Sequence, residues 1–300
     1  MSDQASNLRK LMEDRAEIQS ENASESVSNN IFDQDKNTRV ITITSGKGGV
    51  GKTNLAVNLA IALQMIGKRV LVIDADIGMA NVDVVLGSVS KRNMLDLLED
   101  DVSLEDVLVK GPHGVTYISG SSGVEKALNF TVEERRRLHN KLSPCSDFAD
   151  IILIDTGAGL GRNVVDFVIA ADEVLLITTP EPTALSDAFA VIKTYFLHSD
   201  KKSLRLVVNR IFDVNEATDT TDKLNATSKT LLNVPIECAG YIFEDRAVTE
   251  CVKKQIPFIV AKPNAIASKC INQLVDSLLN GKQMTITKGW LEFLNQIFDF

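Results

Sequence analysis

From about residue 38 to about residue 280, short apolar runs rich in β-branched residues alternate with longer segments whose apolar positions recur at helical spacing. The runs are Arg39–Thr44, Arg69–Asp74, Val115–Ser119, Ile151–Asp155, Glu173–Thr178, Leu204–Val208 and Glu237–Ile242. Ile151-Ile152-Leu153-Ile154 offers no polar face, so helices must cover both of its sides, as in a parallel sheet. Asn54 to Ile66 places Leu55, Val57, Leu59, Ala62, Leu63 and Ile66 at helical spacing, and Thr131-Val132-Glu133-Glu134 is a capping box ahead of Arg135–Leu142. The alternation predicts an α/β fold over residues 38–280, a doubly wound and mostly parallel sheet. Such sheets bind ligands at the carboxyl ends of their strands.

The two ends of the chain are patterned differently. Residues 1–18 hold a short helical stripe of Ala5, Leu8, Met12 and Ala16. Residues 19–37 are rich in Ser, Asn and acids with almost no apolar content, which predicts a flexible linker. Residues 281–300 form a tail ending in Gly289–Phe300, where Trp290, Leu291, Leu294, Ile297 and Phe298 fall on one helical face. That face suits either an interfacial membrane helix or a last helix docked on the domain. Glu292 and Asp299 on its polar side, with only Lys282 and Lys288 nearby, predict weak attraction to anionic lipid.

Composition narrows the class. An apolar fraction of 44% over 300 residues is ample for a core, and no uncharged apolar run reaches the length of 18 needed to cross a bilayer. Met1-Ser2-Asp3-Gln4 lacks signal-peptide character, and Cys145, Cys238, Cys251 and Cys270 form no C-x-x-C pair. Both features predict a cytoplasmic, reducing location and argue against a zinc or iron–sulfur centre. The formal net charge of −8, without Lys/Arg clusters, argues against a nucleic-acid partner.

The chemistry concentrates at strand ends. Gly46-Lys47-Gly48-Gly49-Val50-Gly51-Lys52-Thr53 fills every position of a phosphate loop between a strand and a helix that continues at Asn54. Its glycines let N–H groups converge on phosphate oxygens, Lys52 reaches the β- and γ-phosphates, and the Thr53 hydroxyl serves Mg²⁺. After the second run, Asp74 and Asp76 precede a turn at Gly78 and can face a metal and an attacking water. After the fourth comes Asp155-Thr156-Gly157-Ala158-Gly159, with Asp155 in the place of a Walker B acid and glycines that allow movement when the γ-phosphate is lost. Each acid alone would also suit an ordinary helix or turn cap. Asn209 stands where a base-contacting amide would sit, or in an Asx turn.

KGGVGKT, with Lys47 one residue after the first glycine, resembles the deviant Walker A motif of the MinD/ParA ATPases. The resemblance continues through DADIGMANVD (Asp74–Asp83), DTGAGLG (Asp155–Gly161), TTPEPTALSDA (Thr178–Ala188) and VVNR (Val207–Arg210). It implies a Mg²⁺-dependent ATPase that is a homodimer in the ATP state, with Lys47 reaching across to the partner's phosphates. Asp76 would position water, Thr53, Asp76 and Asp155 would serve Mg²⁺, and Asn209 and Arg210 would join the phosphate loop in holding ATP. Phe243 departs from MinD, which tends to have Pro there. Asp3-Gln4-Ala5-Ser6-Asn7-Leu8-Arg9 resembles the DQAxxLR motif of the FlhG (FleN) family of flagellar-number regulators. That resemblance implies stimulation of an FlhF-like GTPase through residues 1–20. It further implies a flagellar transcription regulator and switch proteins as partners, and reversible membrane contact through residues 289–300. A septum-site MinD or partitioning ParA ATPase, or a nucleotide-sensing scaffold with little turnover, are the competing expectations.

Overall fold

The computed structural model describes residues 38–76, 81–120, 130–199, 203–280 and 289–298. The helix and linker expected over residues 1–37 lie outside the described residues, as does the first part of the tail, 281–288. Eight strands build one sheet: β1 (Arg39–Ser45), β2 (Val70–Ala75), β3 (Leu108–Lys110), β4 (Thr116–Ile118), β5 (Ile151–Ala158), β6 (Glu173–Thr178), β7 (Leu204–Ile211) and β8 (Glu237–Phe243). Their order is β3-β4-β2-β5-β1-β6-β7-β8, and every pairing is parallel except that of β3 with β4. All seven expected runs form strands. The antiparallel β3 goes unannounced, because three residues with no fully buried position show no period.

The apolar character of both strand faces divides the core into two layers. Val40, Ile73, Ile152, Ile154 and Leu176 face one way, toward the helices Val132–Leu142, Arg162–Ala170 and Pro182–His198. Ile41, Ile43, Val72, Leu153 and Leu175 face the other, toward the helices Lys52–Met65 and Ile266–Asn280. Every residue from Leu55 to Leu63 is buried, all apolar but Asn58, so the helix after the phosphate loop is wedged between the sheet and its neighbours. Register then sets the site. β5 lies between β1 and β2, with Ile43 and Asp74 both opposite Asp155. The chain leaving β1, β2 and β5 therefore emerges at one edge.

The tail helix, Gly289–Phe298, is docked on the first layer. Trp290 Nε1 donates to the Leu142 carbonyl at 2.7 Å. Its ring stacks on Phe293 at 5.3 Å, and Phe293 stacks on Phe167 at 6.1 Å. Trp290, Leu294 and Phe298 of the expected face are buried and Ile297 is partly buried. Leu291 is not: it is 45% exposed, and Phe293 at 2% takes its place. The seam thus follows positions three and four apart from Trp290, and the residue next to it points away.

At the opposite edge of the sheet, Glu173 is almost fully buried and accepts from both Arg39 and Arg205. Arg39 Nη1 also donates to the Leu278 carbonyl at 3.0 Å, and Arg205 Nη1 to that of Ser277 at 3.4 Å. One carboxylate thereby joins β1, β6 and β7 to the end of the helix Ile266–Asn280. Removing it leaves two arginines together without a counter-charge. Glu173→Ala is expected to lower the unfolding free energy by about 3 kcal/mol, read as a lower urea midpoint at unchanged slope. A loss below about 1 kcal/mol, the range of an exposed ion pair, would contradict this.

Candidate active site

β1 ends at Ser45, and the helix begins at Lys52; the six residues between form the loop. Its shape depends on glycine at specific points. A Cβ on Gly46 would lie 2.3 Å from the backbone carbonyl of Asp187, so the loop starts pressed against the helix Pro182–His198. Gly51 has φ 104°, in the left-handed region, and caps the helix without any side-chain bond. Gly48 and Gly49 face open space. Val50, 4% exposed, anchors the loop in the core. The first N–H groups of the helix Lys52–Met65 thus point into a cavity with the positive end of the helix dipole behind them, an arrangement that attracts anions.

Three carboxylates crowd the same edge with different environments. Asp74 is an organiser: Oδ1 accepts from the Asp76 N–H at 3.1 Å, and Oδ2 from Asn81 and Val82 at 2.8 and 3.0 Å. Burial raises its pKa to about 6 against the pull of those three N–H groups. Asp155 is 1% exposed, and neither carboxylate oxygen has a hydrogen-bond partner among the described residues. Burial, then the neighbouring Asp74, raises its pKa to about 7; the Thr53 hydroxyl opposes the shift without reaching full hydrogen-bond geometry. Asp76 is raised by burial and lowered by Lys52, while Lys52 is lowered by burial and held up by Asp155 and Asp76.

A buried carboxylate beside a hydroxyl is a donor set that suits a hard cation. Among the described residues no cluster of three His, Cys, Asp or Glu side chains would hold a metal unaided. Mg²⁺ does not need one, since it binds through one or two protein oxygens and completes its shell with phosphate and water. The donor set around Thr53 and Asp155 fits that ion.

A cavity of about 830 Å³ lies over the loop, lined by Gly48, Gly49, Lys52, Thr53, Asp76 and Gly157 among others. A second, of about 240 Å³, adjoins it through Gly51, Asn54, Arg210 and Val252 and continues along Asn209, Phe243, Val248 and Thr249. Together they have room for phosphates beside the loop and a base beside β7 and β8. Asn209 Nδ2 donates to the Val50 carbonyl at 2.7 Å, so this side chain braces the phosphate loop as well as lining the smaller cavity. Arg210, with φ 58°, stands between the cavities 3.9 Å from Glu244.

Lys47 does not line either cavity. Its Nζ donates to Glu181 Oε2 at 2.9 Å and to Thr183 Oγ1 at 2.8 Å, at the surface. No local pattern signals these partners, which lie 134 and 136 residues further along the chain. They do fall within the block Thr178–Ala188 that carries part of the family resemblance.

A family profile described as an AAA domain matches residues 38–206. The chain is 40% identical over 242 residues to the antiactivator FleN of Pseudomonas aeruginosa, covering 80% of this chain and 86% of that protein. It is 34% identical over 258 residues to the flagellum site-determining protein YlxH of Helicobacter pylori, covering 83% and 84%. Among solved structures, the cell division ATPase MinD of Pyrococcus furiosus matches with a TM-score of 0.66 at 29% identity, over 81% of this chain and 99% of that one. The septum site-determining protein MinD of Pyrococcus horikoshii, complexed with Mg-ADP, gives 0.65 at 26% identity, over 83% and 99%.

Without nucleotide or Mg²⁺, Asp155 and Asp74 keep protons in the folded state at pH values where the unfolded chain has released them. The folded state binds more protons, so stability falls as pH rises through about 6 to 7. Asp155→Asn removes the larger share of that dependence. Melting temperature between about pH 5.5 and pH 8 should fall more steeply for wild type than for Asp155→Asn, with the variant the more stable at the upper end. Parallel curves would show that Asp155 is ionised throughout.

Proposed function

Because the chain belongs to the MinD/ParA-type P-loop ATPases, we propose that it is a dimerising switch coupling ATP binding and hydrolysis to the number or placement of flagella. The position of Lys47 carries the dimer reading. A lysine of the phosphate loop that reaches Glu181 and Thr183 at the surface, not its own cavity, supports a reading in which it meets phosphates presented by a second copy. The flagellar reading is supported by similarity to FleN and YlxH over more than four-fifths of each of those proteins.

In this mechanism the N–H groups of Gly48 to Thr53 and the Lys52 ammonium hold the β- and γ-phosphates. Thr53, Asp76 and Asp155 are the side chains that would hold Mg²⁺, which supplies charge neutralisation on the phosphates. Asp76, at the cavity wall and tied through its N–H to Asp74, orients the attacking water. Asn209 keeps the loop in shape, and Arg210 with the smaller cavity receives the base. Lys47 from the partner completes the charge around the γ-phosphate, so turnover requires the dimer.

The outputs lie at the two ends. Residues 1–20, with Gln4 and Arg9 beside a small apolar stripe, act as an activator of an FlhF-like GTPase by supplying polar groups in trans. A flagellar transcription regulator fits the designation of the Pseudomonas relative as an antiactivator, and flagellar switch proteins are further partners. Residues 289–300 bind membrane reversibly. No helix among the described residues is long and apolar enough to cross a bilayer. Trp290, Phe293, Leu294 and Phe298 are buried against the domain, so lipid binding requires that the helix leave its seat. Two released helices on one dimer bind together where one alone would be marginal.

With ATP and Mg²⁺, Asp76→Ala is expected to elute as a persistent dimer and to sediment with anionic liposomes. Lys47→Ala should bind nucleotide yet remain monomeric, and a chain ending at Lys288 should dimerise without sedimenting. Wild-type turnover by Asp76→Ala would exclude its role with water, and sedimentation of the shortened chain would exclude the tail helix as the membrane contact.

A further inference from the structure

The segment that carries Asp76 leaves β2 and re-enters the described structure at Asn81, followed by the helix Val82–Leu86. Five residues are too few for a helix to hold itself together in water, so its position is imposed by what surrounds it. Asp74 secures the start, accepting from the N–H groups of Asn81 and Val82. Gly87 secures the end, closing the helix with φ 63° so close to the Gln255 carbonyl that a Cβ would lie 2.4 Å from it. Val82 and Leu86 pack into the second core layer, Ser88 Oγ lies 2.8 Å from Tyr117 Oη, and Asp83 adds a lateral tether. Asp83 Oδ2 accepts from Ser90 Oγ at 2.7 Å and from Ser119 Oγ at 3.0 Å. Ser119 follows β4 and is 3% exposed; the next residue, Gly120, is so near Asp74 that a Cβ would lie 2.8 Å from its carbonyl oxygen.

We infer that Asp83, clasped by Ser90 and Ser119, is a positioning residue for ATP hydrolysis that acts on Asp76 through Asp74. Asp74 and Ser119–Gly120 form one rigid edge of the sheet, and the clasp ties the short helix to that edge. The Asp74 carboxylate holds the Asp76 N–H through one oxygen and the N–H groups of Asn81 and Val82, at the start of the short helix, through the other. Loosening the short helix lets that carboxylate, and Asp76 with it, shift while the phosphate loop, on β1, stays in place. Misplacement of a water-orienting group by about 1 Å can cost a factor of 100 in rate. The clasp therefore acts on turnover and not on nucleotide affinity. This rests on the proposed role of Asp76 with the attacking water.

The test compares steady-state ATP turnover with equilibrium binding of a fluorescent ATP analogue in wild type, Asp83→Ala, Asp83→Asn, Ser119→Ala and Asp76→Ala, with urea unfolding of each. Asp83→Ala is expected to lower kcat by at least about tenfold with affinity within about twofold, and Ser119→Ala by a smaller factor in the same sense. Asp83→Asn recovers most of the turnover, because an amide pairs with two hydroxyls that can reverse their hydrogens. A folded Asp83→Ala with wild-type kcat overturns the inference, as does an Asp83→Asn as slow as Asp83→Ala, which would mean that charge and not the clasp matters. If Asp76→Ala itself turns over normally, the proposed hydrolysis mechanism fails first and independently.

Discussion

A carboxylate with no full hydrogen bond among the described residues, 1% exposed and set between two other acids and a lysine, is the constraint around which this molecule is arranged. Such a group is costly in a protein interior unless a cation or proton accompanies it. Asp155 lies within β5, the strand flanked by β1 and β2, opposite Ile43 and Asp74. The phosphate loop grows out of the first of those strands and the Asp74–Asp76 segment out of the second. Lys52, drawn into the same pocket, has its own charge disfavoured by burial. Charges this close and this dry fit a site completed by Mg²⁺ and phosphate, where each acid and the lysine find partners.

The rest of the fold holds that edge still. The helix after the loop is buried on all sides, and Gly46 leaves no gap against the helix Pro182–His198. Asn209 ties the loop to β7. At the far edge, Glu173 draws β1, β6 and β7 onto one helix end. A site held this firmly favours a reaction dominated by positioning over one needing covalent help.

Much of this was legible in the chain, for physical reasons that also explain the rest. Strands buried on both faces are largely apolar, so the runs Ile151–Ile154 of β5 and Val174–Ile177 of β6 announce themselves, and a phosphate loop needs glycines where it turns. Contacts between distant segments leave no such trace. Nothing local marks Glu181 as the partner of Lys47, or the Val50 carbonyl as the acceptor for Asn209. The tail shows the same limit. Helical spacing identified its apolar side, but Leu291 and Phe293 are both apolar, and only the stack of Phe293 on Phe167 and Trp290 decides which one is buried. The DADIGMANVD block contained Asp83, yet its value as a tether depends on Ser119, 36 residues away.

The central claim is that one sheet edge binds Mg-ATP through the loop around Lys52, and titration of a fluorescent ATP analogue into wild type and Lys52→Ala tests it most directly. Losing an ammonium that faces two phosphates should weaken binding by at least about tenfold in a variant that remains folded. Equal affinities in the two proteins would contradict the account.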